Sequence, residues 1–277
     1  MSKPVVVGVD GTPATEVALH WAITETARRF LPLVVVHAGD VSTYPAVGGG
    51  SVLERTRGQQ VAADAVAVVQ AMNRDIRVSS VVIPGNPGDV LASWSTDASM
   101  IVLGSHRRGA ISTAVHGSVS ATVAARAQCP VVVVPVEPGR RAPVVVGVDG
   151  SLAAKAAVEF AFDHAARQGS WVHAIHTWHR AVLPGAGDLP TQRAAHLKVV
   201  TDTLTGMRDR YPKVPVRVVR MIGRPDEILA EESMEAQLLV VGTRGHGFAS
   251  GLLLGSVSQS LIRSASCPLA IVPAKDE

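Results

Sequence analysis

Cysteine is scarce in this chain: only Cys129 and Cys267 occur in 277 residues. Two thiols cannot form a disulfide framework, and both precede a short Val/Ile run, so each reads as a small buried hydrophobe. A reducing cytoplasm is the expected compartment. Aromatic residues make up 4% of the chain, so the core must be built from Val, Ala, Leu and Ile. No apolar run approaches the ~18 residues of a membrane span. No charged apolar leader opens the sequence, since Lys3 is followed by only a few apolar residues before Asp10. Charge of one sign is also lacking. The net charge is +3, and no basic stripe with interleaved aromatics is present, which argues against nucleic acid as a partner. No lysine follows a glycine-rich loop as in a Walker A motif, and no G-x-S-x-G nucleophile elbow exists.

What the chain does have, it has twice. Residues 5–12 read VVVGVDGT and residues 144–151 read VVVGVDGS. VLGSHRRG (102–109) returns as VVGTRGHG (240–247), GSVS (117–120) as GSVS (255–258), and CPVVVVP (129–135) as CPLAIVP (267–273). The offset is 139 residues at the first motif and 138 at the later ones. A repeat of this length is a duplicated domain, not a solenoid unit. Two domains are therefore expected, 1–137 and 144–277, joined by a polar Pro/Gly-rich linker over 138–143.

Within each half, Val/Ile-rich runs alternate with helical patterns. In the first half the runs are 4–9, 32–38, 78–84, 99–104 and 131–135. Strands this apolar predict a parallel sheet buried on both faces. Val17, Ala18, Trp21 and Ala22 define one apolar helix face, and Ala62, Ala65, Val66 and Val69 another. Pro87 and Pro225 suit the first turn of a third helix, and Gly117-Ser118 and Gly255-Ser256 the start of a fourth. Five strands and four helices in alternation make a doubly wound α/β domain, a Rossmann-like five-stranded parallel sheet with helices on both faces. The long segments after strand 2, 39–52 and 178–193, are candidate lids or interface loops.

Ligands of such sheets bind beyond the carboxyl ends of the strands, where the strand order reverses. GVDG ends strand 1 and the G-[ST]-[RH] loop ends strand 4, so neighbouring strands would bring both motifs to one crevice. Gly242 and Gly245 would let the backbone turn sharply and approach a ligand. Gly255 and Ser256 would open a helix whose free N–H groups suit an anion, with hydroxyl donors from Ser256 and Ser258. Plainer roles are also open: Ser256 as an N-cap, and Asp10 and Asp149 as Asx-turn residues ahead of helix 1. His173, His176 and His179 have a metal-like spacing, but on a strand the first two point to opposite faces. No metal site and no catalytic residue is assigned.

The spacing G-x2-G-x9-G-[ST], with an early GVDGS-type motif, resembles the universal stress protein family over essentially the whole chain, as two tandem copies. The resemblance implies an ATP-binding stress-response protein that works through conformation or a protein partner, with Mg²⁺ accompanying the nucleotide and a homodimer expected. It implies that Asp149, with Val148 beside it, contacts the adenosine part and that Thr177 flanks the base. Gly242, Thr243, Arg244, Gly245, Gly255, Ser256, Val257 and Ser258 would surround the phosphates and ribose. The first-half equivalents are Val9, Asp10, Gly104, Ser105, Gly117, Ser118, Val119 and Ser120. That half departs from the pattern: Arg107 stands where the family has its second glycine, and His116 precedes Gly117 where the second half has Leu254. Unequal sites follow as an expectation. Two other classes remain open at this point: a slow ATPase or nucleotidyl-transfer enzyme, and an interaction module with empty pockets. The GVDGT and GVDGS loops differ from the SGGxDS-type loop of related pyrophosphatases, which argues against that chemistry.

Overall fold

The computed structural model describes residues 2–39, 50–105, 118–135, 142–178, 189–245 and 254–274, with 50–55 and 189 described by backbone alone. His106, Arg107, His116, Gly117, His179, most of the linker and most of the two long segments after strand 2 lie outside the described residues. The chain divides into two compact units, Met1–Glu137 and Pro138–Glu277.

The first unit runs β1 (Val5–Gly8), α1 (Pro13–Arg29), β2 (Leu33–Gly39), α2 (Gly50–Met72), β3 (Val78–Pro84), α3 (Pro87–Ser93), β4 (Met100–Gly104), α4 (Ser118–Arg126) and β5 (Val131–Val134). Its strands lie in the order β3-β2-β1-β4-β5, all parallel. The second unit runs β6 (Val144–Gly147), α5 (Leu152–Gln168), β7 (Val172–Trp178), α6 (Leu189–Leu204), the short α7 (Met207–Arg210), β8 (Val216–Ile222), α8 (Pro225–Glu232), β9 (Leu238–Gly242), α9 (Ser256–Ser264) and β10 (Leu269–Val272). Its order is β8-β7-β6-β9-β10, again all parallel.

In both units the chain winds outward from the first strand, then returns to its other side. Right-handed crossovers in opposite directions place their helices on opposite faces. Accordingly α1 contacts α2 and α3 contacts α4, while α5 contacts α6 and α8 contacts α9. The doubly wound architecture is thus present twice. Val5, Val6 and Val7 of β1 and Val144, Val145 and Val146 of β6 are fully buried, as central strands covered on both faces require. Two outer strands, β3 and β8, depart from that expectation. Ser79 and Ser80 of β3, and Arg217, Val218 and Arg220 of β8, are exposed, whereas β5 and β10, at the other edge of each unit, are buried throughout.

Local signals set the helix starts. Asn86 caps α3 by accepting from the Gly88 and Asp89 amides, with Pro87 at the first position. Ser151 caps α5 by accepting from the Ala154 amide at 3.1 Å. The helix ends differ between the copies. Gly169 closes α5 in a left-handed conformation with φ 63°, while its counterpart Phe30 closes α1 with φ 53° and is 90% exposed. A non-glycine residue in this region costs about 1–2 kcal/mol, and Phe30 regains little through burial. Phe30→Gly is therefore expected to stabilise the protein by about 1 kcal/mol, after the entropy cost of glycine. Thermal unfolding should shift upward by about 3 °C. An unchanged or lower midpoint would mean that Phe30 contributes contacts that outweigh its backbone strain.

Candidate nucleotide site in the second unit

The strand order reverses between β6 and β9, which pair directly with Val144 opposite Leu238 and Val146 opposite Val240. The GVDGS and GTRG motifs therefore meet beyond the carboxyl ends of two neighbouring strands, at the switch point where doubly wound sheets open a crevice. A pocket of about 260 Å³ lies there. Its lining includes Val148 and Asp149 after β6, Thr177 of β7, Gly242 at the end of β9 with Arg244 and Gly245 beyond it, and Gly255, Ser256, Val257 and Ser258 at the start of α9. Pro225 and Leu229 of α8, with Ile175 and Val241, add an apolar wall.

Asp149 combines two roles. Its Oδ1 accepts from the Ser151 amide at 3.0 Å and from the Ser151 hydroxyl at 2.7 Å, which is the Asx turn that leads the chain into α5. Gly150 supports that turn with φ 87°. The Oδ2 side lies against Gly245, where a Cβ would collide with that oxygen. Asp10 in the first unit makes the matching turn, with its Oδ1 accepting from the Thr12 amide at 2.9 Å and hydroxyl at 2.6 Å, and from the Thr15 hydroxyl at 3.1 Å.

The glycines work by space, not by turning the backbone. Neither Gly242 nor Gly245 has a positive φ. A Cβ on Gly242 would come within 2.8 Å of the Ala153 Cβ and 2.9 Å of the Ala153 carbonyl carbon. Gly242 thus lets the first turn of α5 lie against the end of β9. Gly104 does the same in the first unit, where a Cβ would run into the backbone of Ala14 and Thr15. Gly245 instead makes room for the Asp149 carboxylate at the pocket rim.

The start of α9 also differs from the simplest expectation. Ser256 is the first helical residue and not the cap. The cap is Gly255, with φ −71° and ψ 152° and no side-chain cap bond. The first helical bond runs from the Gln259 amide to the Gly255 carbonyl at 2.9 Å, so the amides of Ser256, Val257 and Ser258 have no acceptor within the helix. The Ser258 hydroxyl is not a spare donor, because it is buried and donates to the Gly242 carbonyl at 2.7 Å. Thr243 is absent from the lining. It is buried, its amide donates to Val272 O at 2.9 Å, and its carbonyl accepts from the Gly255 amide at 2.8 Å. Thr243 and Ser258 therefore fasten the end of β9 to the start of α9. Arg244 is exposed at the rim, with its carbonyl accepting from the Ser151 hydroxyl at 3.3 Å.

In the first unit, Val9 is buried, Asp10 is exposed and Gly104 and Ser105 are half-buried at the end of β4. The Ser105 amide donates to Val134 O at 3.1 Å, matching Thr243. Ser118 is exposed, Val119 half-buried and Ser120 buried at the start of α4.

Two contributors have roles that no sequence pattern assigns to them. Leu229 of α8 fills the space beside Gly147, whose added Cβ would lie 3.0 Å from the leucine Cδ1. His176 of β7 donates from Nδ1 to the Val148 carbonyl at 2.6 Å, and His37 of β2 makes the same bond to Val9 O at 2.8 Å. Comparing VVHAG with AIHTW across the repeat would have singled out that histidine. His173 turns the other way, beside Trp171 and 3.5 Å from Glu232 of α8.

A tandem, doubly wound α/β chain with a pocket at a switch point defines a class, and comparison gives the family. The model of the universal stress protein family matches residues 1–135 and 141–273. The chain belongs to that family. It is 37% identical over 292 aligned residues to universal stress protein Rv2005c of Mycobacterium tuberculosis, covering 98% of this chain and 99% of that protein. Universal stress protein Rv2623 of the same organism is 34% identical, with 98% and 96% covered. Among solved structures, a universal stress protein from Archaeoglobus fulgidus superposes with a TM-score of 0.77 at 20% identity, covering 99% of this chain and 100% of that one. Among the described residues, no helix is long and apolar enough to cross a membrane.

Proposed function

We propose that the second unit binds ATP, holds it without rapid turnover, and acts as a stress-response regulator whose bound state a protein partner or a second copy of the chain reads. The observation that carries this reading is the pocket at the β6/β9 switch point. It joins an apolar wall, a carboxylate and the uncapped start of a nine-residue helix. The wall of Val148, Ile175 and Leu229 suits a base, and Asp149 suits ribose hydroxyls as an acceptor. The amides of Ser256 and Val257, the positive end of the α9 dipole and the Arg244 guanidinium suit phosphate. Mg²⁺ would accompany the phosphates and neutralise part of their charge.

Slow turnover follows from what the described lining residues offer. Asp149 is the only carboxylate among them, and its Oδ1 is engaged by Ser151. No histidine or lysine is present among them to take a proton from an attacking water or to follow the γ-phosphate. Equilibrium dialysis against ATP, adenosine and inorganic triphosphate, each alone, tests the reading. ATP should bind more tightly than either fragment, and phosphate release should stay well below ~1 s⁻¹. Triphosphate binding as tightly as ATP would remove the adenosine half of the proposal. Turnover at or above that rate would make the protein an ATPase.

A further inference from the structure

The second unit contains a pair of histidines outside the pocket lining. His176 Nε2 lies 2.8 Å from His196 Nδ1, and the two rings are 5.0 Å apart. His176 is buried in β7, one residue before Thr177 of the pocket. His196 is half-buried on α6 and stacks on Trp178 with a ring separation of 4.5 Å. Proton positions follow from the partners. The Val148 carbonyl can only accept, so His176 Nδ1 carries a hydrogen. In the neutral ring, Nε2 is then an acceptor, and His196 must donate from Nδ1. The hydrogen bond between the rings survives one added proton, which His196 can take at its own Nε2. A second proton would set N–H against N–H and break the bond.

We infer that His176 and His196 form a proton-sensitive latch fastening α6 to the pocket end of β7, closed while the neutral pair has gained at most one proton and opened by the second. The latch also fixes the Val148 carbonyl, and with it the corner that presents Asp149. That consequence for ATP rests on the binding proposed above, whereas the latch itself does not. His176 is here a positioning residue, acting through the Val148 carbonyl.

The surroundings oppose added charge. Burial first, and His176 second, hold the His196 imidazole below its usual range. Arg220 of β8 is the register neighbour of His176, and it donates to the Arg193 carbonyl of α6 at 3.3 Å. Other charged groups on the packed elements are Arg193, Lys198 and Asp202 of α6, Lys155, Glu159, Asp163 and Arg167 of α5, Arg217 of β8, Asp226, Glu227, Glu231 and Glu232 of α8, and Asp149 beyond β6. Lys198 is paired with Asp202. A histidine depressed in the folded state binds fewer protons than in the open one. Its contribution is therefore intact above ~6.5 and is lost as pH falls through that value.

The first unit supplies an internal control. His37 makes the same bond to Val9, but Gly58 of α2 faces its ring. A Cβ there would lie 2.6 Å from the His37 Cδ2 and 3.0 Å from Nε2. No second imidazole from α2 meets His37 at that point.

Hydrogen exchange followed by mass spectrometry, without nucleotide and corrected for intrinsic rates, tests the latch from pH 7.5 to 5.5. Opening of α6 should rise about tenfold for each pH unit below ~6.5, while α2 in the same sample stays flat. His196→Phe keeps the stack and removes the bond, so its α6 should lose the pH slope. His196→Gly copies the first-unit arrangement and should do the same. Long-range imidazole NMR of the wild type at pH 7.5 should show both histidines protonated at Nδ1. A pH slope equal in α6 and α2, a slope kept in His196→Phe, or His176 protonated at Nε2 alone would overturn the latch. ATP affinity measured over the same range is a separate readout. If exchange shows the slope and ATP does not bind, the latch stands and the binding proposal fails.

Discussion

Replacing Gly245 by valine is expected to weaken ATP binding by at least about a hundredfold, or ~2.7 kcal/mol. The cause is steric and local. A Cβ at this position collides with the Asp149 Oδ2, so the carboxylate must leave the pocket rim or the loop after β9 must lift away. Either movement separates the part of the site expected to hold ribose from the part expected to hold phosphate. The backbone of Gly245 is not left-handed, so the substitution adds no φ strain, and thermal unfolding should change by no more than about 1 kcal/mol. By sequence position Arg107 is the first-half counterpart of Gly245, so a bulkier residue is expected to weaken the first site in the same way. Titration calorimetry should therefore find one tight site in the wild type, little tight binding in Gly245→Val, and a strengthened first site in Arg107→Gly. Two equal sites in the wild type, with Arg107→Gly weakening one, would make Arg107 a phosphate ligand.

Gly242→Val should fail differently. The new side chain would meet the Ala153 Cβ at 2.8 Å and the Ala154 amide nitrogen at 3.1 Å. These atoms belong to the first turn of α5, which packs on β6, β9 and β10 and cannot withdraw without opening the core. A loss of about 3 kcal/mol or more is expected, lowering the thermal midpoint by about 10 °C. Gly104→Val should behave alike, since its Cβ would strike the backbone of Ala14 and Thr15. If Gly242→Val left stability untouched and removed only ATP binding, the glycine would belong to the ligand and not to helix packing.

These two glycines show how far the sequence could be read. Apolar runs and proline positions located β1, β4 and β9, and the starts of α3 and α8, because burial and the missing proline N–H leave local marks. The repeat made the position of the site legible, since GVDG and the G-x2-G loop recur at strand ends whose pairing the doubly wound order dictates. The reason for each glycine was not legible. Gly242 and Gly245 are three residues apart in one motif, yet one accommodates Ala153 and the other Asp149, and each partner lies more than eighty residues away. Thr243 is expected to face the ligand, whereas it is buried outside the lining and its bonds run to backbone across the β9–α9 junction; Ser258 lines the pocket with its hydroxyl bonded across the same junction. His176 was seen as one of three histidines at metal-like spacing. Its partners, Val148 and His196, stand 28 and 20 residues away, where no local pattern points. The exposure of β3 and β8 was missed for a related reason: a strand's own residues do not state its place in the sheet order.

The central claim is that the second unit holds intact ATP. It is tested most directly by incubating the full chain with ATP and Mg²⁺ for an hour, removing free nucleotide, denaturing the protein and identifying the released nucleotide by mass spectrometry. The account predicts ATP, close to one molecule per chain and absent from Gly245→Val. ADP in its place, or equal recovery from wild type and Gly245→Val, would contradict it.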